Sequence, residues 1–452
     1  MRRVISALIL GLIVTLRAPG VGAVTDDERI SVYREFRSLF DAGNFSAALP
    51  VAESLVKLTE EQLGDSDRAL INPITNVGTT QLKLGDYAAA EASYLRAVQL
   101  LERSASATDR LFIAPLAGLG ATYIAAKRPA NAVTPLRRAV DLSRNLDGLY
   151  NAGQLPILRQ LIDAYVANGN LPDAEKEQNY AYKLAESAYG RDDPRMLEAI
   201  DRLAHWYEYV GRYGTARTLY EQALALVDRI GPRTDPRKVT PLRGIARTYR
   251  FEFLYGAEKE EETLDAFGRP VVDFSNLQTG RQQRRAEQAL QFALEIITAN
   301  SPVDQRLRGE TLVDLADWNL VSGETAAARQ RYAQAWDALA LAGDTTLLQH
   351  PRQLAYRASP FSAGRSRLDP AEATSYPLEL RFTVTSGGRV RDVVAQPNNL
   401  SEGVVRSVAT ALTRARYAPR IENGSTVDTE NVSFTEQVLV RNPPPDAPAN
   451  AD

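Results

Sequence analysis

Three arginines, Arg243, Arg247 and Arg250, stand at i, i+4 and i+7, a spacing that puts their guanidinium groups on one face of a helix. A guanidinium grips a carboxylate through paired hydrogen bonds, so recognition of an acidic partner is the chemistry this pattern offers. Catalysis has less to work with. His205 and His350 are the only histidines and lie 145 residues apart. No HExxH, no glycine-rich phosphate loop after a strand and no Ser-His-Asp set can be assembled. The absence of cysteine excludes disulfides, a thiol nucleophile, zinc-thiolate sites and a lipid-modified N-terminal Cys. The chain therefore reads as a non-enzyme with no cofactor and no metal. An enzyme built on acidic side chains would need an ordered small molecule or metal beside them.

These arginines belong to a repeated pattern. Gly43, Gly85, Lys127, Gly169 and Gly211 occupy one phase of a 42-residue period. Ala48, Ala90, Ala132, Ala174 and Ala216 follow in each copy, and then Leu58, Leu100, Leu142, Leu184 and Leu226. A fixed period of this length marks a stacked array in which each unit buries its apolar face on the next. Before each turn, Ile74, Val77 and Gln81 correspond to Leu116, Leu119 and Tyr123, spaced i, i+3, i+7 as on one helix face. After the turn, Ala90, Tyr94, Ala97 and Leu101 give a second stripe, so the unit is an antiparallel helix pair with alanine where the backbones approach. Leu242, Ile245, Ala246 and Tyr249 keep the phase for a sixth first helix, but the next in-phase alanine is Ala286. That offset places a 28-residue insertion at about residues 256–283. Leu312, Leu315, Gly323, Ala328 and Ala335 then resume the phase as a seventh unit.

Gly78, Gly85, Tyr87, Ala90, Tyr94 and Ala97 carry a resemblance to the tetratricopeptide repeat in its 42-residue form, over roughly residues 29–343. The resemblance implies a right-handed solenoid of helical hairpins whose concave groove binds protein partners through the second, fifth, ninth and twelfth positions of each first helix. On that analogy the fifth position carries Arg159, Asp201 and Arg243, the ninth carries Asp163, His205 and Arg247, and Arg250 adds a twelfth. Two readings stay open. Arg159, Asp201 and Arg243 form a solvated ladder across neighbouring helices, or Arg243, Arg247 and Arg250 exceed the available acids and offer a cationic strip to a partner. The insertion also divides: an acidic stretch from Glu258 to Glu262, a β-like segment from Gly268 to Phe274 and three arginines from Arg281 to Arg285 make it either a loop or a hairpin packed on the array. Loops longer than about 15 residues are commonly functional.

The chain opens with Arg2 and Arg3, an apolar run from Val4 to Leu16, and small residues ending at Ala23. This pattern predicts a secretory signal, residues 1–23, cleaved after Ala23. A retained anchor is the alternative, although thirteen apolar residues span only about 20 Å of the roughly 30 Å hydrocarbon core. Cleavage takes the formal charge from −3 to −6, and a mildly acidic chain is a poor general binder of nucleic acid. The mature chain thus reads as exported to the periplasm, with the inner membrane as its location if residues 1–23 stay.

After the array, assigned to residues 24–343, the helical phase is lost, and Pro351, Pro360, Pro370 and Pro377 mark residues 344–375 as an extended connector. Its Gln353 to Tyr356 could still add a strand to the domain beyond it. From Leu378 the period becomes 2, through Leu380, Phe382 and Val384; Gly387-Gly388 supplies a hairpin turn, and Val390 to Ala395 a second strand. Ser401 caps an amphipathic helix with Val405, Val408, Ala409 and Leu412, and after Asn423-Gly424 a last strand carries Val432, Phe434, Val438 and Val440. The fold class is therefore mainly α, a helical-hairpin solenoid followed by a small α+β domain in the order strand, strand, helix, strand, with residues 442–452 as a tail.

Residues 376–441, with FTVTSGGRVRDV, LTRARYAP, ENG and NVSF, resemble the C-terminal domain of TonB, the energy transducer of Gram-negative outer-membrane transport. The resemblance implies a periplasmic domain that adds an extended peptide to a sheet edge, with components of outer-membrane transport as partners. On this basis the whole reads as a periplasmic scaffold with protein or peptide partners. The runner-up is a transducer anchored in the inner membrane. The residues assigned to the peptide-binding edge are Val432, Phe434, Thr435, Val438 and Val440, and the same edge would serve a dimer of the domain.

Overall fold

The computed structural model describes residues 26–104, 106–256, 279–363, 368 and 372–442. The signal segment, most of the insertion with its β-like segment, part of the connector and the tail beyond 442 lie outside the described residues. Two compact bodies divide between Ala188 and Tyr189.

The first body holds α1 (Asp26–Asp41), α2 (Phe45–Leu63), α3 (Ile71–Leu84), α4 (Tyr87–Ser104), α5 (Ile113–Ala125), α6 (Pro129–Asp147), α7 (Leu155–Ala167) and α8 (Leu171–Tyr189), in whose last turn the second body begins. The helices pair as hairpins because the turn between them is chemically specified. Gly85 takes φ +81°, its N–H donates to the Leu82 carbonyl, and the Asp86 N–H reaches back to Gln81 at 3.0 Å. The Asp86 carboxylate then accepts from the Ala89 N–H at 3.1 Å and starts the next helix. Lys127 holds the same left-handed conformation, φ +58°, where the other copies have glycine. Ala48, Ala90, Ala132 and Ala174 are fully buried where paired helices cross.

A second periodic device precedes the first helices. Asp67, Asp109, Asn151, Asp193 and Asp235 each accept a hydrogen bond from the backbone N–H two residues on, at 2.7–2.9 Å. These Asx turns recur at the 42-residue period and fix the entry into each next unit. The sequence pattern alone did not single them out.

The second body continues with α9 (Met196–Tyr209), α10 (Tyr213–Ile230), α11 (Val239–Tyr255), α12 (Thr279–Ala299), α13 (Gln305–Ser322) and α14 (Thr325–Leu341). That makes seven helix pairs among the described residues. Helix α12 starts at Thr279, so the last residues assigned to the insertion are its first turn. A helix with one partner face shows an apolar stripe, whereas α13 buries residues on all sides, including Leu312, Val313, Leu315, Asp317, Trp318 and Leu320. The C-terminal module provides the extra cover.

That module contains β1 (Arg352–Ala355), β2 (Ala373–Val384), β3 (Val390–Ala395), α15 (Glu402–Thr413), β4 (Arg416–Ala418), β5 (Arg420–Glu422), β6 (Ser425–Val427) and β7 (Thr429–Arg441). An antiparallel sheet runs in the order β3-β2-β7, and α15 packs on it through Val404, Val408 and Leu412 against Leu378, Leu380, Phe382 and Val438. The strand expected from Leu378 begins earlier, at Ala373, and includes Pro377 paired with Gln437. Proline is tolerated there because β3 reaches back only to Leu380, so the proline nitrogen faces no ladder partner in that sheet.

The connector also differs from an extended linker. Its strand β1 pairs antiparallel with β4, Arg352 opposite Ala418. Leu348 and Leu354 are buried with Ala418 and Ile421 in one core with Leu312, Ala316, Tyr332 and Ala335 of α13 and α14. The last helix pair and the C-terminal module therefore share a hydrophobic core. The β5–β6 hairpin turns at Asn423 and Gly424, at φ +49° and +78°, the left-handed pair that a two-residue hairpin needs.

Candidate functional site

The ninth position of the first helices is where polar chemistry meets the core. In three units a tyrosine from the second helix of the same hairpin reaches it. Tyr94 and Thr79 share a hydrogen bond at 2.9 Å, Tyr220 stands 3.4 Å from Nδ1 of His205, and the Tyr332 hydroxyl donates to Asp317 Oδ1 at 2.7 Å. All three tyrosines are buried, and burial pushes their phenol pKa values upward. Each hydroxyl arrives through a packed helix, so the side chain it meets is held in place.

Arg159 and Asp163 lie one turn apart on α7 of the first body. In the second body, Asp201 and His205 lie on α9, and Arg243, Arg247 and Arg250 on α11. His205 Nδ1 is 2.8 Å from the Asp201 carbonyl and 3.4 Å from its carboxylate. Hydrogen bonding to Asp201 raises the imidazole pKa, opposed by burial and by Arg247.

The expected surplus of cations is corrected by the contacts. Arg243 donates to Asp314 at 2.6 Å and to Glu310 at 3.0 Å, both on α13. Arg247 donates to Glu208 at 2.8 Å, to the Tyr220 hydroxyl at 2.9 Å and stands 3.0 Å from His205 Nε2. Arg250 meets Asp317 at 3.4 Å. Burial works against charge on Arg243 and Arg247, but the carboxylates outweigh it and raise both pKa values. The acids that hold Arg243 come from the seventh unit, not from Asp201, so the strip is a matched set of ion pairs.

Asp317 is the residue that sequence reasoning missed. Its side chain is 2% exposed and gathers Tyr332, Arg250 and Arg352, the last at 3.0 and 3.2 Å. A carboxylate this buried needs such partners to remain charged. Helix α11, the hairpin α13–α14 and β1 of the C-terminal module thus meet on one ion. The signal was present: Asp317 stands one 42-residue period plus the 28-residue insertion beyond Arg247.

The second candidate surface is β7, an edge strand. The Leu439 N–H donates to the Phe361 carbonyl at 2.8 Å, and the Ala363 N–H to the Gln437 carbonyl at 2.7 Å. Residues 361–363 therefore cover one end of the edge. By strand alternation, Ser433 and Thr435 point their N–H and C=O groups to the same outer side as Gln437 and Leu439, and no named strand pairs there among the described residues. Of the residues assigned to this edge, Val438 is buried, Val432 and Phe434 pack partly buried against the α15 core, Val440 is half-buried, and Thr435 is exposed. The apolar side chains thus serve the core, and the backbone is what the edge presents.

Two matches to known repeats bear on the hairpins. Residues 74–100 and 153–229 match tetratricopeptide-repeat families. The hairpins at these positions are tetratricopeptide repeats. No curated protein matches the chain. Among solved structures, the chain is similar to a putative kinesin light chain from Podosopora anserina with nearly identical tetratricopeptide-like repeats, at 18% identity and TM-score 0.41, over 44% of this chain and 95% of that one. It is also similar to the apo form of RapI, at 11% identity and TM-score 0.49, over 70% and 77%, and to MamA from Desulfovibrio magneticus RS-1, at 16% and 0.34, over 46% and 98%. Tetratricopeptide repeats generally mediate protein–protein interaction, and a non-enzymatic scaffold is their usual role.

Proposed function

We propose that this chain is an exported periplasmic scaffold. Its tetratricopeptide array recruits a protein partner, and its C-terminal module, similar to that of TonB, takes an extended peptide by β-addition to β7. The observation that carries the reading is the outer side of β7, where Ser433 and Thr435 turn their backbone groups away from β2 and no named strand pairs with them among the described residues. Unpaired strand edges of this kind invite another strand. A component of outer-membrane transport is the partner class that the TonB likeness suggests.

The test is Thr435→Pro in the full-length chain. Its N–H points outward, so proline removes an addition site without removing a bond to β2. The expected outcome is an unchanged circular-dichroism melt and loss of partner recovery from periplasmic extract; recovery at the wild-type level overturns the peptide-addition reading. Intact mass of the exported protein tests the location. A chain starting at Val24 supports it, and residues 1–23 still attached would favour the anchored transducer.

A further inference from the structure

A cleft of about 870 Å³ lies between the outward face of α15 and the chain that leaves β1. Four arginines line it, Arg357, Arg406, Arg414 and Arg416, and among the described residues that line it none is acidic. Arg357 donates to the Leu254 carbonyl at 2.8 Å and Arg416 to the Ala415 carbonyl at 3.3 Å. A carbonyl positions a guanidinium but leaves its full charge in place. The carboxylate beside Arg406 belongs to Glu402, in an i,i+4 pair whose side chains are 72% and 87% exposed. Such a pair contributes little and exchanges readily.

The floor is shaped for a backbone. Gly403, Ser407 and Ala411 follow one another at four-residue steps along α15, small enough to let another chain lie close. Ser407 is tied to the buried Ser359 by a 2.9 Å hydrogen bond, and the Tyr356 hydroxyl donates to Glu436 at 2.7 Å. These bonds fix the wall that carries Arg357. Tyr255, Val321 and Pro360 add apolar surface.

We propose that this cleft binds an acidic polypeptide segment in extended conformation. Arg406 lies on α15 and Arg414, eight residues on, is its C-cap, about 12 Å further along the axis, and four residues of extended chain span about 13 Å. Carboxylates at i and i+4 of the segment therefore reach both guanidinium groups, each able to form a bidentate pair. The volume is of the size that holds several residues rather than one small anion, and the apolar patches take the side chains between the acids. The cleft is separate from the outer side of β7.

The experiment uses the full-length chain and fluorescence anisotropy with a labelled nonapeptide carrying glutamate at its first, fifth and ninth residues among serine and valine. The glutamate peptide binds at least about tenfold tighter than its glutamine counterpart, and the preference shrinks as salt screens the charges. Arg406→Glu combined with Arg414→Glu weakens binding by about tenfold or more. Thr410→Trp fills the floor without touching a charge and produces the same loss, which keeps the test decisive if the double variant melts early. Thr435→Pro leaves this binding unchanged. Equal affinity for the glutamine peptide, undiminished binding by both cleft variants, or binding of anionic vesicles in place of the peptide overturns the proposal.

Discussion

Two sets of arginines in this protein are used in opposite ways. In the first body, arginines join successive hairpins from outside: Arg96 pairs with Glu60, Arg128 with Glu91, Arg138 with Glu102 and Arg110 with Asp147, each 36 or 37 residues away. These arginines are 35–62% exposed. In the second body Arg250 and Arg352 are 14% and 30% exposed and converge on one buried carboxylate, Asp317. An exposed pair is worth little, because water solvates its members almost as well apart as together. A buried node is different, since removing one member strands the others without solvent. These exposed pairs are therefore tolerant one by one, whereas the end that meets the C-terminal module depends on Asp317.

The comparison breaks most visibly at that ion. Asp317→Ala should destabilise the full chain by about 3–5 kcal/mol, read as a lowered urea midpoint, because Arg250, Arg352 and Tyr332 lose their shared acceptor. Gly244→Ala comes next. A Cβ there would stand 2.5 Å from the buried Tyr220 ring, an overpacking that should cost about 1–3 kcal/mol in the same assay. Lys127→Gly should act in the other direction, stabilising by about 1 kcal/mol, since Lys127 occupies a left-handed conformation that disfavours a side chain.

The outer pairs set the small end of the scale. Glu60→Gln should cost less than about 1 kcal/mol and lose even that at high salt. Their pH dependence has a defined sign. Hydrogen bonds from Arg128 and Arg110 hold the Glu91 and Asp147 carboxyl pKa values below the ordinary range, so their contribution is present above about pH 4. It is lost as pH falls through the depressed folded values. Urea midpoints of Glu91→Gln and wild type should therefore converge as the pH is lowered; a gap that widens below pH 4 would contradict the assignment.

The array was legible because its constraints repeat. The left-handed turn, at Gly43, Gly85, Gly169, Gly211 and Lys127, and the alanine at the helix crossing recur from copy to copy. The Asx turns repeated equally and were passed over, since a lone Asp in a loop looks like solvated surface until its period is counted. The arginine face was legible as a face but not as a site, because the acids that hold Arg243 and Arg250, namely Glu310, Asp314 and Asp317, lie beyond the insertion. In the C-terminal module the long strands showed alternation, whereas β4, β5 and β6 are three residues each and too short to show a period. Leu348 and Leu354 read as connector residues, and packing with Ala418, Ile421 and the apolar residues of α13 and α14 makes them core.

The functional account rests on an edge that residues 361–363 cover at Gln437 and Leu439 and that no named strand pairs at Ser433 and Thr435 among the described residues. Amide hydrogen exchange along β7 of the free full-length chain measures that directly. Leu439, bonded to the Phe361 carbonyl, should exchange slowly, while Ser433 and Thr435, whose N–H groups point away from β2, should exchange faster by orders of magnitude. Equal protection of all three amides would mean the edge is already covered along its length, and would contradict peptide addition at β7.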